Sequence, residues 1–316
     1  MAFDLYSAGA GSKEVLALKR RLGYDQLLSQ LNERKAVLEW VEYKREHPEC
    51  TSKLFIDSGA FTAHTKGKEV DVDEYIEFIN SIDDQVYIFA QVDKIPGVWG
   101  QPKTPEQLAE APILSWENYL YMVDKVVSPK KLLPIFHQGE DFKYLKQMLE
   151  YKYTFGELKG QPIDYIGVSC NKELTTQAWI DWFNQVYKII RDSSNPNVKT
   201  HVFGMTSLKV LEQFPFTSAD STSWVRSAGF GNILLGYTSV YVSDRNPDDP
   251  GHVNNLSPAV REDINKICEK YGFTLKDIVE DTSGQSRALF NLCSLKEWAD
   301  HYEYRGTDEY LESLWD

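Results

Sequence analysis

The chain has 316 residues, of which 42 % are apolar and 13 % aromatic, enough to bury the core of one large domain or two small ones. Its net charge of −13 argues against a protein that coats nucleic acid without sequence preference, since such proteins bind mainly by neutralising phosphates. No apolar run approaches the roughly 20 residues that cross a bilayer, and signal peptide features are missing, so we expect a cytoplasmic protein without membrane contact. The four cysteines are widely spaced, which is typical of reduced thiols.

Eight short apolar runs are predicted strands, and helical patterns lie between most of them. The strands span residues 3–7, 53–57, 86–93, 132–136, 165–169, 201–204, 216–220 and 232–235. Two helices are predicted between the first and second strands, the second of them over residues 34–46. Further helices are predicted at 72–82, 105–127, around Trp179 to Val186, and at 258–271.

Strands that alternate with helices predict the α/β class, and eight such units predict a (β/α)8 TIM barrel. We expect one domain over residues 1–316, with core strands in 3–235 and additional helices in 258–316. An open, doubly wound sheet is the alternative arrangement of the same units.

Three predicted strands end in an aspartate, namely Asp57, Asp93 and Asp220. The carboxyl ends of parallel strands are where barrels and open α/β sheets place their chemistry. A single aspartate in such a position is commonly a helix N-cap or a turn residue. Three of them on different strands favour a shared acidic pocket.

Several familiar motifs are missing from the sequence. Gly9 and Gly11 follow the first strand, but the third glycine of the dinucleotide fingerprint is replaced by Glu14. The chain contains no P-loop, no H-E-x-x-H zinc motif and no G-x-S-x-G nucleophile elbow. These absences argue against the commonest nucleotide-binding enzymes, metalloproteases and serine hydrolases.

Two sets of residues could ligate a metal by spacing alone: His47 with Cys50, and Cys268 with Cys293 and His301. The short paired spacings of structural zinc sites are absent from both sets. We therefore predict no metal site and no zinc subdomain.

With these motifs missing, the best-supported interpretation is a site whose chemistry is carried out by carboxylates. Two or three carboxylates around a pocket suit work on a glycosidic bond, because one can attack the anomeric carbon while another transfers protons. The His-Gln-Gly turn at 137–139 and Gly167 offer an amide side chain and backbone groups that can bind the edge of a planar heterocycle.

Several segments resemble those of the tRNA-guanine transglycosylases. Segment 56–61, Ile-Asp-Ser-Gly-Ala-Phe, is similar to the Asp-Ser-Gly-Gly-Phe/Tyr segment of that family. Segment 92–96, Val-Asp-Lys-Ile-Pro, resembles its Phe-Asp-Glu-Cys-x-Pro segment, and 136–139, Phe-His-Gln-Gly, resembles its Val-Gln-Gly-Gly turn.

The resemblance continues towards the C-terminus. Residues 165–168 resemble the family's glycine-containing fifth strand, 201–205 its sixth-strand glycine segment, and 216–221 the segment of its nucleophilic aspartate. The matches keep the family's order over about residues 54–235.

The resemblance implies specific roles. Asp220 would be the nucleophile that forms a covalent glycosyl-enzyme, and Asp57 the acid/base near the exchanged base. The implied base-binding residues are Asp93, Gln138, Gly139, Gly167, Ser58 and Phe61. No cofactor is implied, because exchange of one base for another conserves the glycosidic bond.

The sequence departs from the family pattern in three ways, and the last of them favours DNA over tRNA as substrate. Ala60 replaces the second glycine, His137 precedes the Gln-Gly turn, and the family's Cys-x-Cys-x-x-Cys zinc cluster is missing. In the family that zinc subdomain supports the tRNA-binding surface. The chain looks closer to the phage branch, which exchanges guanine in DNA for a 7-deazaguanine such as preQ0.

The expected partners are therefore DNA and a free 7-deazaguanine base, in the cytoplasm of the host if the protein is phage-encoded, and a homodimer is compatible with these features. Exchange on tRNA, hydrolysis of an N-glycosidic bond and a non-catalytic barrel that binds nucleic acid stay open as alternatives.

An acidic protein that binds DNA needs positive charge around its pocket. Lys66 and Lys68 follow the strand that ends at Asp57, Arg226 lies six positions after Asp220, and Arg245 follows the predicted eighth strand. Because loops after barrel strands emerge on one face, we predict a basic rim of these four residues. Ordinary solvated side chains are the alternative interpretation.

Overall fold

A computed structural model describes residues 3–205 and 207–306. Nine parallel strands form a nearly closed barrel of about 310° with helices between them, which is the predicted α/β architecture of a (β/α)8 barrel. The barrel strands are β1 (Asp4–Ala8), β2 (Asp25–Ser29), β3 (Leu54–Asp57), β4 (Ile88–Ala90), β5 (Leu132–Leu133), β6 (Ile135–His137), β7 (Tyr165–Ser169), β8 (Lys199–Phe203) and β9 (Ser218–Ser221).

Pro134 explains why nine strands occupy eight positions. It separates β5, which pairs with β4, from β6, which pairs with β7, so the two short strands are successive parts of one barrel position. A proline has no N–H for the ladder. Its carbonyl still accepts a hydrogen bond from the N–H of Gly167 at 2.7 Å. The gap in the ring therefore lies at this proline.

Two barrel positions differ from the prediction. Residues 25–29, predicted to lie in a helical region, form β2, in which Leu27 faces the barrel interior and Leu28 faces the surrounding helices. Residues 232–235, predicted to be the eighth barrel strand, form β10 (Asn232–Leu235) of an antiparallel hairpin with β11 (Thr238–Tyr241). Since β9 already pairs with β1, the ring has no place for β10.

Many of the helices begin at a side-chain cap. Ser12, Asp71, Thr104 and Ser257 each accept a hydrogen bond from a backbone N–H in the first turn of the following helix. The helices are α1 (Lys13–Arg21), α2 (Gln30–Glu46), α3 (Ala60–Thr65), α4 (Val72–Ser81), α5 (Pro105–Val123), α6 (Phe142–Glu150), α7 (Thr176–Arg191), α8 (Leu208–Gln213), α9 (Ser223–Gly229), α10 (Pro258–Tyr271), α11 (Leu275–Val279) and α12 (Gln285–Asp300). Among the described helices, none is long and apolar enough to span a bilayer.

The hairpin and the last three helices form a lobe beside the barrel. Its own apolar cluster includes Ile233, Val240, Ile264 and Phe290. Asn291 of α12 joins the lobe to the barrel side, since its amide donates to the carbonyl of Trp224 in α9 and accepts from the N–H of Leu234. The predicted C-terminal helical region agrees with α10 to α12, and its part at 307–316 lies outside the described residues.

Gly167 lies in the middle of β7, where a side chain would collide with the barrel core. A Cβ atom there would lie 2.6 Å from Cε2 of Phe203 and 2.9 Å from Cδ2 of Leu133. We expect Gly167→Ala to lower the free energy of unfolding by about 1–3 kcal/mol in urea titrations, because overpacking forces neighbours to move.

The matched control is Gly229→Ala at the end of α9, where the new Cβ has no neighbour within 4 Å. It should change stability by no more than about 0.5 kcal/mol. Equal losses at the two positions would contradict the packing argument.

Candidate active site

The fold brings the three sequence-predicted aspartates together. Asp57 ends β3, Asp93 follows β4, and Asp220 lies in β9, all towards the carboxyl ends of the parallel strands. The negative charges of both Asp93 and Asp220 act on the carboxyl group of Asp57. Asp220 is only 6 % exposed and the side chain of Asp93 only 10 %. The arrangement is a largely buried cluster of three carboxyl groups at the carboxyl ends of the barrel strands, and we refer to this place as the pocket.

Asp57 is fixed by the turn that follows it. Its Oδ2 accepts a hydrogen bond from the N–H of Gly59 at 3.0 Å. Gly59 has φ +81° and a Cβ there would lie 2.5 Å from Cβ of Leu31, so only glycine suits the position. Desolvation, and then the charge of Asp93, raise the pKa of Asp57 to about 7. Asp57 therefore exchanges its proton near neutral pH, as a general acid/base must.

The pKa of Asp57 predicts a pH-dependent cost in stability. Because it rises from 3.8 to about 7 on folding, the unfolded chain releases the proton first, and stability falls as the pH rises between these values. We expect Asp57→Asn to raise the free energy of unfolding at pH 8 by about 1–3 kcal/mol, and by less at pH 5. Urea titrations at both pH values test this, and a gain that is larger at pH 5 would contradict it.

Asp220 is held through one of its two oxygens. Its Oδ1 accepts a hydrogen bond from the N–H of Gly204 at 2.6 Å and faces Nε2 of His201 at 3.3 Å. On the other side of the ring, Nδ1 of His201 lies 2.6 Å from the hydroxyl of Ser218, which lies 2.6 Å from the hydroxyl of Tyr165.

The donors and acceptors in this series of hydrogen bonds can be assigned from Asp220, the group at one end of it. A carboxylate can only accept, so Nε2 of His201 carries a hydrogen; in a neutral ring Nδ1 then accepts from Ser218, which in turn accepts from Tyr165. His201, Ser218 and Tyr165 are all buried in the barrel. Within the described residues, both donors to Asp220 meet Oδ1, and Oδ2 has no hydrogen-bond donor.

His137 lies between two carboxylates. Its Nε2 is 3.0 Å from Oδ2 of Asp93, and its Nδ1 is 3.2 Å from Oε1 of Glu140. Burial opposes a charge on the ring, but hydrogen bonds to Asp93 and Glu140 outweigh it and raise the pKa of His137 to about 10. One positive charge therefore stands among the acidic groups of the pocket.

Two of the predicted base-binding side chains make structural contacts with the backbone. The amide of Gln138 donates to the carbonyl of Ala178 and accepts from the N–H of Asn171, so it supports the segment after β7. Ser58 is buried, and its hydroxyl accepts from the N–H of Ala60 at 3.4 Å.

The other predicted base-binding residues lie in different environments. Gly139 has φ +105° in the turn after β6, and Gly167 lies one layer down in the barrel, where it makes room for Phe203. Phe61 is 58 % exposed and meets Trp99 edge to face at 5.5 Å between ring centroids.

The fold places only three of the four residues of the predicted basic rim in segments that follow barrel strands. Lys66 and Lys68 follow α3, after β3, and Arg226 lies in α9, after β9. Arg245 follows the hairpin strand β11 instead of a barrel strand, so the argument that placed it at the mouth does not hold.

The structure adds a lysine that the sequence argument missed. Nζ of Lys172, in the loop after β7, donates to the carbonyls of Phe203 and Gly204, next to the N–H that holds Asp220. Nothing in the local sequence indicates this contact. By contrast, His201 lies in a predicted strand beside Val202 and Phe203, and a polar residue in such an apolar run is a signal that could have identified it.

The residues considered as metal ligands are dispersed. Cys268 and Cys293 are buried thiols, and His301 is exposed with Nδ1 near the carbonyl of Glu297. Over residues 3–205 and 207–306, no group of three or more His, Cys, Asp or Glu side chains is arranged to hold a metal ion.

Comparison with known proteins gives no family: no model of a protein family matches this chain, and no curated protein matches it significantly.

Proposed function

We propose that this barrel is a glycosyltransferase that exchanges a base on a nucleoside residue through a covalent aspartyl-glycosyl intermediate. The observation that carries the proposal is the pairing of two unlike aspartates in one pocket. Asp57 has its pKa raised to about 7, whereas Asp220 is held at Oδ1 by Gly204 and His201, and no donor among the described residues contacts its Oδ2. One suits proton transfer and the other suits attack on an anomeric carbon.

In the proposed reaction, Oδ2 of Asp220 attacks C1′ while Asp57 gives its proton to the departing base. The incoming base then loses a proton to Asp57 and attacks C1′, which releases the carboxylate of Asp220. The donors at Oδ1 favour this release, because they stabilise the charge that returns to the carboxylate. Protons and charge balance over the cycle, so the exchange consumes no cofactor.

The proposed substrates are guanine in DNA and a free 7-deazaguanine of the preQ0 type. Three observations support this choice: the ordered resemblance over about residues 54–235, the acceptor carboxylate of Asp93 in the pocket, and the missing zinc-cluster spacing. A polynucleotide must also present its base unstacked, since the carboxylates lie inside a barrel mouth.

Mass spectrometry of nucleosides tests the proposal. DNA and tRNA are isolated from cells that express the protein and a source of 7-deazaguanine, with Asp220→Asn as the matched control. We expect the modified nucleoside in DNA only with the wild-type chain. Modification confined to tRNA would show that tRNA is the substrate instead of DNA. Abasic sites would indicate hydrolysis, and unmodified nucleic acid would support a non-catalytic barrel.

The lysines near the pocket give a prediction for DNA binding. We expect removal of Lys66 and Lys68 together to reduce the salt slope of DNA affinity by up to about two units, and Lys172→Gln to reduce it by about one. Affinity for the free base should stay unchanged. Lys130→Gln is the control, because Lys130 precedes β5 at the opposite end of the barrel and pairs with Asp164. Slopes that match this control would contradict the lysine assignments.

A further inference from the structure

We infer that His137 and Glu140 form a positioning pair that holds Asp93 as a hydrogen-bond acceptor, which restricts the pocket to bases with two N–H donors on one edge. The inference rests on the proposed function, in which Asp93 contacts the exchanged base. It concerns two side chains to which neither the sequence resemblance nor the proposed reaction gives a role.

The turn after β6 is built to place Glu140 against His137. The N–H of Glu140 donates to the carbonyl of His137 at 3.2 Å, which closes a four-residue turn with Gly139 at its third position. The φ of +105° at Gly139 is the conformation that glycine favours there. The chain then returns the carboxylate of Glu140 to His137, where Oε2 accepts the backbone N–H at 3.1 Å and Oε1 faces Nδ1 at 3.2 Å.

The contacts of the His137 ring define its charge. Nε2 faces Oδ2 of Asp93 and Nδ1 faces Oε1 of Glu140, and a carboxylate oxygen can only accept. Both nitrogens therefore carry hydrogen, and the ring is an imidazolium. Burial works against this charge, but the two carboxylates raise the pKa of His137 to about 10, so the ring stays charged throughout the neutral range.

This charge matters because Asp93 has acidic neighbours. Asp93 interacts with Asp57, which also feels the charge of Asp220, so these like charges repel one another. The imidazolium offsets that repulsion on one side of Asp93, while Glu140 faces the other nitrogen of the ring. Asp93 is thereby held opposite a cation, with its Oδ2 accepting from Nε2 of His137.

The protonation of Asp93 decides which base edge fits. Guanine presents an N1–H and an amino N–H side by side, which match the two oxygens of a carboxylate. 2-Aminopurine has the same amino group beside an N1 acceptor, which matches a protonated carboxyl that donates one hydrogen bond and accepts another. The two bases therefore report the state of Asp93 in one binding assay.

The first test measures the charge on His137 without any substrate. The chain contains six histidines, so ¹⁵N-histidine spectra of the wild type and of His137→Gln identify the ring signals of His137. We expect both ring nitrogens to be protonated at pH 8. A neutral ring at pH 8 would overturn the inference whatever the protein binds.

The second test measures base binding through the fluorescence of 2-aminopurine and its displacement by guanine. We expect His137→Gln to weaken guanine binding at pH 6 by at least about tenfold relative to 2-aminopurine, because Asp93 then loses the positive charge that faces its Oδ2. Asp57 titrates near neutral pH, so each comparison is made between proteins at one pH. Glu140→Gln keeps the ring and removes its outer carboxylate, and should give a smaller change in the same direction.

The control is His47→Gln, because His47 also pairs with a glutamate, Glu49 at 3.0 Å, but is exposed and outside the pocket. It should leave both affinities unchanged. A wild-type protein that binds guanine, with the same guanine preference in His137→Gln, would overturn this inference alone. A wild-type protein that binds neither base would overturn the proposed function together with it.

Discussion

Asp220→Asn is expected to lower the rate of base exchange by at least about a thousandfold and to abolish the covalent adduct with DNA. The amide is close in size to the carboxylate, but it cannot supply the electron pair and negative charge that displace a base. Its oxygen can still accept from the N–H of Gly204, which now donates at 2.6 Å, so the end of β8 should keep its conformation. Incorporation of labelled guanine into DNA, and denaturing gels of the trapped adduct, measure the two effects.

The alternative role for Asp220 is structural. An aspartate that only caps a turn costs about 1 kcal/mol when it is changed, and activity is retained. Asp71→Asn is the matched control, since Asp71 caps α4 and accepts from the N–H of Glu74. Exchange by Asp220→Asn at a rate close to that of this control would exclude Asp220 as the nucleophile.

Asp57→Asn is expected to lower exchange about a hundredfold to ten-thousandfold, because the departing guanine then loses its proton donor. The loss should depend on the leaving group. 7-Methylguanine carries a positive charge in DNA and departs without protonation, so the variant should release it at a rate within about tenfold of the wild type.

The pH profile provides a second measurement of the same role. With guanine as leaving group, the first step of the wild type should slow as the pH rises above about 7, where Asp57 loses its proton, and Asp57→Asn should lack this dependence. Equal losses with guanine and 7-methylguanine would instead indicate that Asp57 has only a structural effect in the pocket.

Much of the fold could be predicted from the order of apolar runs, because a parallel barrel repeats one local unit. The errors fell on segments whose local pattern fits two structures. Residues 25–29 have only two leucines between polar neighbours, and their pairing with β1 and β3 is a long-range property. Residues 232–235 do form a strand, but its partner is the next strand along the chain instead of the barrel.

The candidate site likewise contains some residues that the sequence predicts and others that it does not. Asp57, Asp93 and Asp220 could be found because each follows an apolar run, and this places them at one edge of the barrel. Glu140 could not be found, because its contact with His137 depends on a turn at Gly139 that folds the chain back on itself. Lys172 meets backbone carbonyls from another strand, and no side-chain pattern encodes such a contact.

The interruption at Pro134 has a consequence for the order in which the molecule assembles. Asp93 follows β4 and His137 ends β6, so their ion pair crosses the gap between the first five strands and the last four. Either set can form its own ladder before the ring closes, but the pocket exists only afterwards. Amide hydrogen exchange should detect the closure of the barrel at this gap. The N–H groups of Gln91 and Gly167 donate to the carbonyls of Leu133 and Pro134, and both should exchange faster in His137→Gln than in the wild type. The ion pair between His137 and Asp93 thus also links the two edges of the sheet that meet when the barrel closes.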